Sequence, residues 1–364
     1  IDIDGKFNTQ FNLKKQELNK LFKNIKFFKE HKTEIKGILY HEFNLKLDSS
    51  FKVVDYSYKS KGDISESKLI LKDSFGKEFI EKPIKQILFD KISTEINLKK
   101  NKKYIFSLDG LYSTSGSSYK KFKIQNNLKN KDYVIDLNLS ENFNFDIINF
   151  RTNSNKISNI KTELKIKNNK FFFKSIDFTE GKNFISLKEM ILNKKKEIEK
   201  IASIDLLTFD KSNKENNNFK INFKKKISIV GERYDSTNLL KLLSSDNNNN
   251  LFKNFSNEIE VKLKHLKTRS QVPLSNFNLI GFVKKGKFNK VSAKSNFSKD
   301  KYLDVSLKID PNGKKILEVY SDLPQVLLVD YKFFEGLKNG KLLYRSIADK
   351  KGSVSKLIID DFKV

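Results

Sequence analysis

Apolar and polar residues alternate with a period of two through most of the chain. The clearest instance is Leu303, Val305, Leu307 and Ile309 set between Asp304, Ser306, Lys308 and Asp310, which predicts a strand with one apolar and one hydrated face. The pattern recurs in Phe219-Lys220-Ile221-Asn222-Phe223, in Ile259-Glu260-Val261-Lys262-Leu263, from Tyr133 through Leu139, and from Ile160 through Ile166. Gly, Asn and Ser punctuate these segments. The strongest turn is Asp310-Pro311-Asn312-Gly313, because Pro presets φ and Asn-Gly accepts the positive φ of a tight hairpin. It predicts a hairpin joining strands near 302–309 and 315–321.

Helical spacing is scarce. Leu18, Leu21, Phe22 and Ile25 mark one early helix, Asp235 or Ser236 can cap a second through Leu243, and residues 323–334 suggest a third. The Asn-rich tracts 213–218 and 247–250 read as loops, and the charged run 194–200 reads as a wide turn. The expected class is therefore mostly β, a long twisted antiparallel sheet with a few short helices. The expected division is an N-terminal β segment over 1–216 and a C-terminal β region over 217–364.

Such a sheet must cover its apolar face with a second sheet, a helix layer or a ligand. Helices are too few to do it. Two packed sheets would make a ligand-free sandwich or solenoid, whereas a sheet curled around lipid tails would place the same residues in an elongated hydrophobic groove. The 32 Phe, set against three Ala, suit a broad apolar lining. The residues expected to line it are Phe219, Ile221, Phe223, Ile259, Val261, Leu263, Leu303, Val305, Leu307 and Ile309, and pattern alone leaves both readings open.

Charge changes the picture less than its size suggests. A formal net charge of +28 points toward phosphate-bearing partners, yet the only arginines are Arg151, Arg233, Arg269 and Arg345. Base and phosphate readers lean on the bidentate arginine fork, so no nucleic-acid partner is expected, although a basic nucleic-acid-binding β protein stays as a third reading. The lysines are spread along the chain between apolar residues, as solvated strand faces require, with anionic lipid headgroups as the other attraction. Cysteine is absent, which excludes disulfides and thiolate chemistry. The chain opens in mid-alternation at Ile1 without an initiator Met and reads as a piece of something longer. No stretch approaches the roughly 18 consecutive apolar residues of a membrane-spanning helix, so an anchor would lie outside it.

No catalytic set emerges. His31, His41 and His265 lack metal-ligand spacing, with His265 expected at a rim or half-buried strand position. Residues 336–341 carry two glycines but not the phosphate-loop spacing, and read as a turn. Asp360-Asp361 would point to opposite strand faces, and no Gly-x-Ser-x-Gly elbow is present. We expect no enzyme activity, no cofactor and no metal.

In the C-terminal half an ordered series appears. Gly231-Glu232-Arg233-Tyr234-Asp235 leads to Leu239-Leu240, then a strand near 257–267, then Val272-Pro273-Leu274-Ser275-Asn276. The 310–313 turn follows, then Leu317 to Ser321-Asp322, a short helix, Gly336 to Leu342, and Gly352 through Asp360-Asp361-Phe362. The series resembles the C-terminal region of AsmA-like envelope lipid-transfer proteins of the YhdP and TamB group, over about residues 217–364. It departs from the family pattern at Asn339-Gly340, where adjacent glycines are usual, and at Leu323-Pro324-Gln325 after the Ser-Asp. The resemblance implies a repeating β-groove in the periplasm, anchored in the inner membrane by a helix outside this segment. It also implies phospholipids as cargo, the inner and outer membranes as partners, and transfer between them or envelope maintenance as the role.

Overall fold

The computed structural model describes all residues except 22–30, 77–79, 81, 103, 115, 128–131, 140, 240–255, 270–271, 285–286, 329–336, 350 and 364. The chain is mostly β, with 73% of it in strands, and its sheet is long, mixed and not closed. It divides into two compact units. Unit 1 comprises Ile1–Asn144, Arg151–Gly181 and Ser186–Lys200; unit 2 comprises Phe145–Phe150, Lys182–Ile185 and Ile201–Val364. The boundary expected at 216/217 falls inside a strand of unit 2.

Unit 1 begins with β1 (Asp2–Leu13), α1 (Lys15–Leu21), β2 (Lys32–Leu47), β3 (Val53–Phe75), β4 (Ile84–Lys99), β5 (Ile105–Thr114), β6 (Lys120–Asn127) and β7 (Asp132–Asn138). Each of these strands pairs antiparallel with the next. After the two-residue strands β8 (Asn144–Phe145) and β9 (Phe150–Arg151) come β10 (Ser158–Lys167), which pairs with β7, and β11 (Lys170–Glu180). β12 (Asn183–Leu192) and β13 (Ile198–Lys200) follow; the turn between them is tight and takes only the first part of the charged run, whose residues Ile198–Lys200, expected within a wide turn, are paired with β12. The core of unit 1 is a cluster of Ile92, Tyr112 and Phe122 packed by Ile64, Phe89, Leu108 and Leu137. The Phe122 ring meets Phe89 edge-on at 5.5 Å, and the Tyr112 hydroxyl donates to Asn138 O at 2.6 Å, so the one polar tip in this cluster is satisfied.

Unit 2 carries β14 (Ser203–Phe209), β15 (Glu215–Phe223), β16 (Ile227–Asp235), β17 (Asn257–Lys267), β18 (Leu274–Lys284), β19 (Lys287–Ser298), β20 (Lys301–Ile309), β21 (Lys315–Ser321), α2 (Pro324–Leu328), β22 (Lys338–Ala348) and β23 (Ser353–Lys363). The hairpin predicted at 310–313 is present. Gly313 alone takes positive φ (78°), and Asp310 closes the turn by accepting the Lys314 N–H at 2.8 Å.

Four further expectations need correction. The sheet is mixed, because β16 and β17 run parallel. Parallel neighbours require a long return connection, and the 21 residues between these two strands supply it. The Asn tract 213–218 is not a loop beyond its first residues, since Glu215 to Asn218 open β15. Lys338–Lys341 lie in β22 and not in a turn, with Asn339 and Gly340 at positive φ kinking the strand. His265 is exposed.

Of the expected helices, α1 and α2 are seen over part of their ranges. Beyond Asp235, Leu239 N–H donates to Ser236 O at 2.9 Å as an opening turn. Phe22, Ile25, residues 240–243, 247–250 and 329–334, and Gly336 lie outside the described residues. Among the described residues no helix is long and apolar enough to cross a membrane.

Asn218 and Phe219 pair with Arg233 and Gly231, which leaves Glu232 as a bulge in β16 next to Gly231. A Cβ at Gly231 would lie 2.3 Å from Asn218 O and 2.4 Å from the Phe219 Cβ, so the two strands approach closely only because glycine sits there. Gly231→Val is expected to lower stability by about 1–3 kcal/mol, the usual range for forcing atoms into a packed site. Urea unfolding followed by circular dichroism measures this, and an unchanged midpoint would show that the bulge relaxes freely.

Candidate functional site, the apolar sheet face of unit 2

Pairing register, more than alternation, builds this surface. One row of directly opposed residues runs Ile204, Ile221, Ile229, Val261, Leu279, Ala293, Val305, Val319, Tyr344 and Leu357, one from each strand from β14 to β23. At about 4.8 Å per strand, ten strands make an apolar strip roughly 43 Å long in contour. A second row runs Phe223, Ile227, Ile259, Gly281, Val291, Leu307 and Leu317, then passes into Ser346 and Ser355. A third joins Leu206, Phe219, Gly231, Leu263 and Phe277.

The ten residues expected to line an apolar face therefore share one. Ile221, Val261 and Val305 stand in the first row, Phe223, Ile259 and Leu307 in the second, and Phe219 and Leu263 in the third. Leu303, two residues before Val305, is opposed by Ser295 and Ser321 and so begins a further row, with Ile309 at the other end of β20 facing Lys315. Their burial differs. Phe219, Val261 and Leu263 are buried, Ile309 is 43% exposed, and the other six are half-buried. Alternation could not reveal the partners Leu279, Ala293, Val319 and Leu357, because only the register aligns them.

The opposite face carries most of the charged side chains together with exposed apolar ones, Val230, Ile280, Phe282 and Leu343. One of its rows reads Asn222, Ser228, Glu260, Ile280, Ser292, Ser306, Glu318, Arg345 and Lys356. Glu260 is bridged by Lys226 and, at 2.6 Å, by Lys262, and these two ammonium groups hold its carboxyl down at about 2. Lys294 meets Asp304 at 3.4 Å, and Glu318 takes both Lys308 (3.6 Å) and Arg345 (3.4 Å). Exposed pairs of this kind contribute little stability, so their consequence is hydration of one face and not rigidity.

Beside Phe219 lies a buried polar cluster that the sequence reading missed. A 3₁₀ turn, Asp146–Ile148, ends at Asn149 in the left-handed region (φ 46°). Asn217, fully buried, donates to Ile148 O at 2.7 Å and to the Thr208 hydroxyl at 2.9 Å, and accepts the Asp235 N–H at 2.8 Å. Asp235, 2% exposed, takes Lys267 Nζ at 2.9 Å and Asn149 Nδ2 at 3.1 Å. The residue types that read as loop are here the partners of buried backbone groups. The available signal was an Asn run broken by no Gly or Pro and leading straight into Phe219.

Burial pushes the Asp235 carboxyl upward, but hydrogen bonds from Thr237, Lys267 and Asn149 outweigh it and hold the group below its usual range. A depressed folded value means stability that is complete above the unfolded value and lost as pH falls through the folded one. The urea midpoint of the wild type should exceed that of Asp235→Asn at neutral pH, with the gap narrowing below about pH 4. A constant gap across that window would deny the carboxylate this role.

His41 is buried in unit 1, where Nδ1 lies 2.7 Å from the Tyr58 hydroxyl and the ring stacks on Phe7 at 4.5 Å. Among the described residues no group of three or more acidic or histidine side chains could hold a metal ion. Compared with known proteins, the chain matches no family model, no curated protein and no solved structure.

Proposed function

We propose that this chain is a periplasmic segment of an AsmA-like, inner-membrane-anchored protein whose sheet curls into an elongated groove that shelters lipid acyl chains. Its role would be to pass phospholipid between the inner and outer membranes or to maintain the envelope, without catalysis. The observation that carries this reading is the aligned apolar face of unit 2, most of whose predicted lining residues are half-buried and not sealed. A dry core between two layers would bury such residues nearly completely, whereas a lining awaiting a ligand keeps surface to cover. Each methylene taken out of water there is favoured by about 0.8 kcal/mol, while a headgroup stays in water because burying it is costly. The opposite face carries the ion pairs and scattered exposed apolar residues without a continuous apolar row, so the ligand layer is assigned to the side of the aligned rows.

The alternative is a ligand-free solenoid or sandwich, favoured by the full burial of Phe219, Val261 and Leu263. Mass spectrometry of lipid retained after expression in a Gram-negative periplasm and gentle extraction separates the two. Stoichiometric phospholipid supports the groove. A lipid-free, stably folded protein would sink it.

A further inference from the structure

The hairpins of unit 2 sort their charges by end. From the pairing registers, the β15–β16, β18–β19, β20–β21 and β22–β23 turns all lie at one end of the strands. That end carries Lys224 and Lys225, Lys284 and Lys287, Lys314, and Lys351, one or two from each of the four hairpins, all exposed. None of these six is in a salt bridge among the described residues, whereas Lys226 beside them bridges Glu260 and, further along the strands, Lys262 and Lys294 are paired. Of the carboxylates at this end, Asp310 and Asp349 turn inward to accept the backbone N–H groups of their own turns, Glu260 is bridged by Lys226 and Lys262, and Glu258 is exposed, so the lysines outnumber them. Two large apolar side chains stand among the lysines in water: Ile309, 43% exposed, and Val354, 78% exposed.

We propose that this end of unit 2 docks on the surface of a bilayer containing anionic phospholipid. Cationic side chains interspersed with exposed apolar ones suit a membrane interface, where ammonium groups sit at headgroup level and apolar groups enter the acyl boundary. Lysine, a compact point charge with no fork to read a base, fits diffuse headgroup charge better than nucleic acid. The four hairpin tips share one strand end and so present their charges along one edge of the sheet, and attraction to a charged surface acts within about a Debye length of it. The inference goes beyond the acyl-chain reading, since it concerns where the sheet meets a bilayer and holds even if the apolar face is dry.

The test is co-sedimentation of the full chain with vesicles of phosphatidylcholine alone or with added phosphatidylglycerol, at low and high salt. Binding is expected only with the anionic lipid and should weaken with salt. Replacing Lys224, Lys225, Lys284 and Lys287 together by Gln should lower partitioning about fivefold per lysine. The matched control replaces Lys211, Lys214, Lys299 and Lys338, exposed lysines at the other end of the strands, and should bind as wild type. Equal loss in both variants would reduce the effect to bulk charge and overturn the assignment. Binding to neutral vesicles, or displacement by duplex DNA at equal phosphate, would overturn it as well. Lipid retained by the first variant in mass spectrometry should be unchanged, which keeps this outcome separate from that of the groove.

Discussion

Val305→Asp should abolish retention of phospholipid while leaving a β-type circular dichroism spectrum. Val305 is half-buried in the middle of the longest apolar row, opposed by Ala293 on β19 and Val319 on β21. A carboxylate there faces hydrocarbon when an acyl chain is bound, and an unpaired charge in that setting costs several kcal/mol, more than the few methylenes that contact one residue can return. Without lipid the same carboxylate retains access to water, so the fold survives. Ser306→Asp, one residue along on the polar face, should leave retention unchanged. Global unfolding of Val305→Asp would instead identify this row as a dry core, because a sealed interior has no water to keep the charge solvated. Retention equal to wild type would exclude this face as the lipid site.

Asn217→Leu should destabilise the protein by about 3–5 kcal/mol. Leucine has the branched four-atom side chain of asparagine, with bulkier methyl groups, but leaves the Ile148 carbonyl and the Asp235 N–H without partners and deprives the Thr208 hydroxyl of the amide donor. Each buried polar group left unpaired costs about 1–3 kcal/mol. The urea midpoint measures the loss. Thr208→Val should cost less, about 1–2 kcal/mol, since Asn217 keeps its other two bonds and the further loss is the hydroxyl's donation to Asn216 Oδ1. A change below 1 kcal/mol in Asn217→Leu would mean that water replaces the amide and that the cluster does not fasten the 3₁₀ turn.

The two substitutions probe opposite kinds of sequence signal. Val305 stands in a strict alternation, and its face could be assigned from its neighbours alone. Asn217 stands in a tract whose composition argues for a loop, and only its distant partners explain why it is in a strand. Gly231 lies between these cases, since a glycine in a strand pattern announces a bulge or close approach without saying against what.

The sequence by itself determined the strand-rich class, the hairpin at 310–313, and the face to which each of the ten apolar residues belongs, because side-chain direction in a strand follows from a two-residue period within one short segment. It could not determine which strands are neighbours, that β16 and β17 run parallel, that the rows align across ten strands, or that Asn217 and Asp235 are buried. Those features depend on hydrogen bonds between residues tens of positions apart, where a register shift of one residue would reverse every side chain and only the assembled sheet selects among the alternatives.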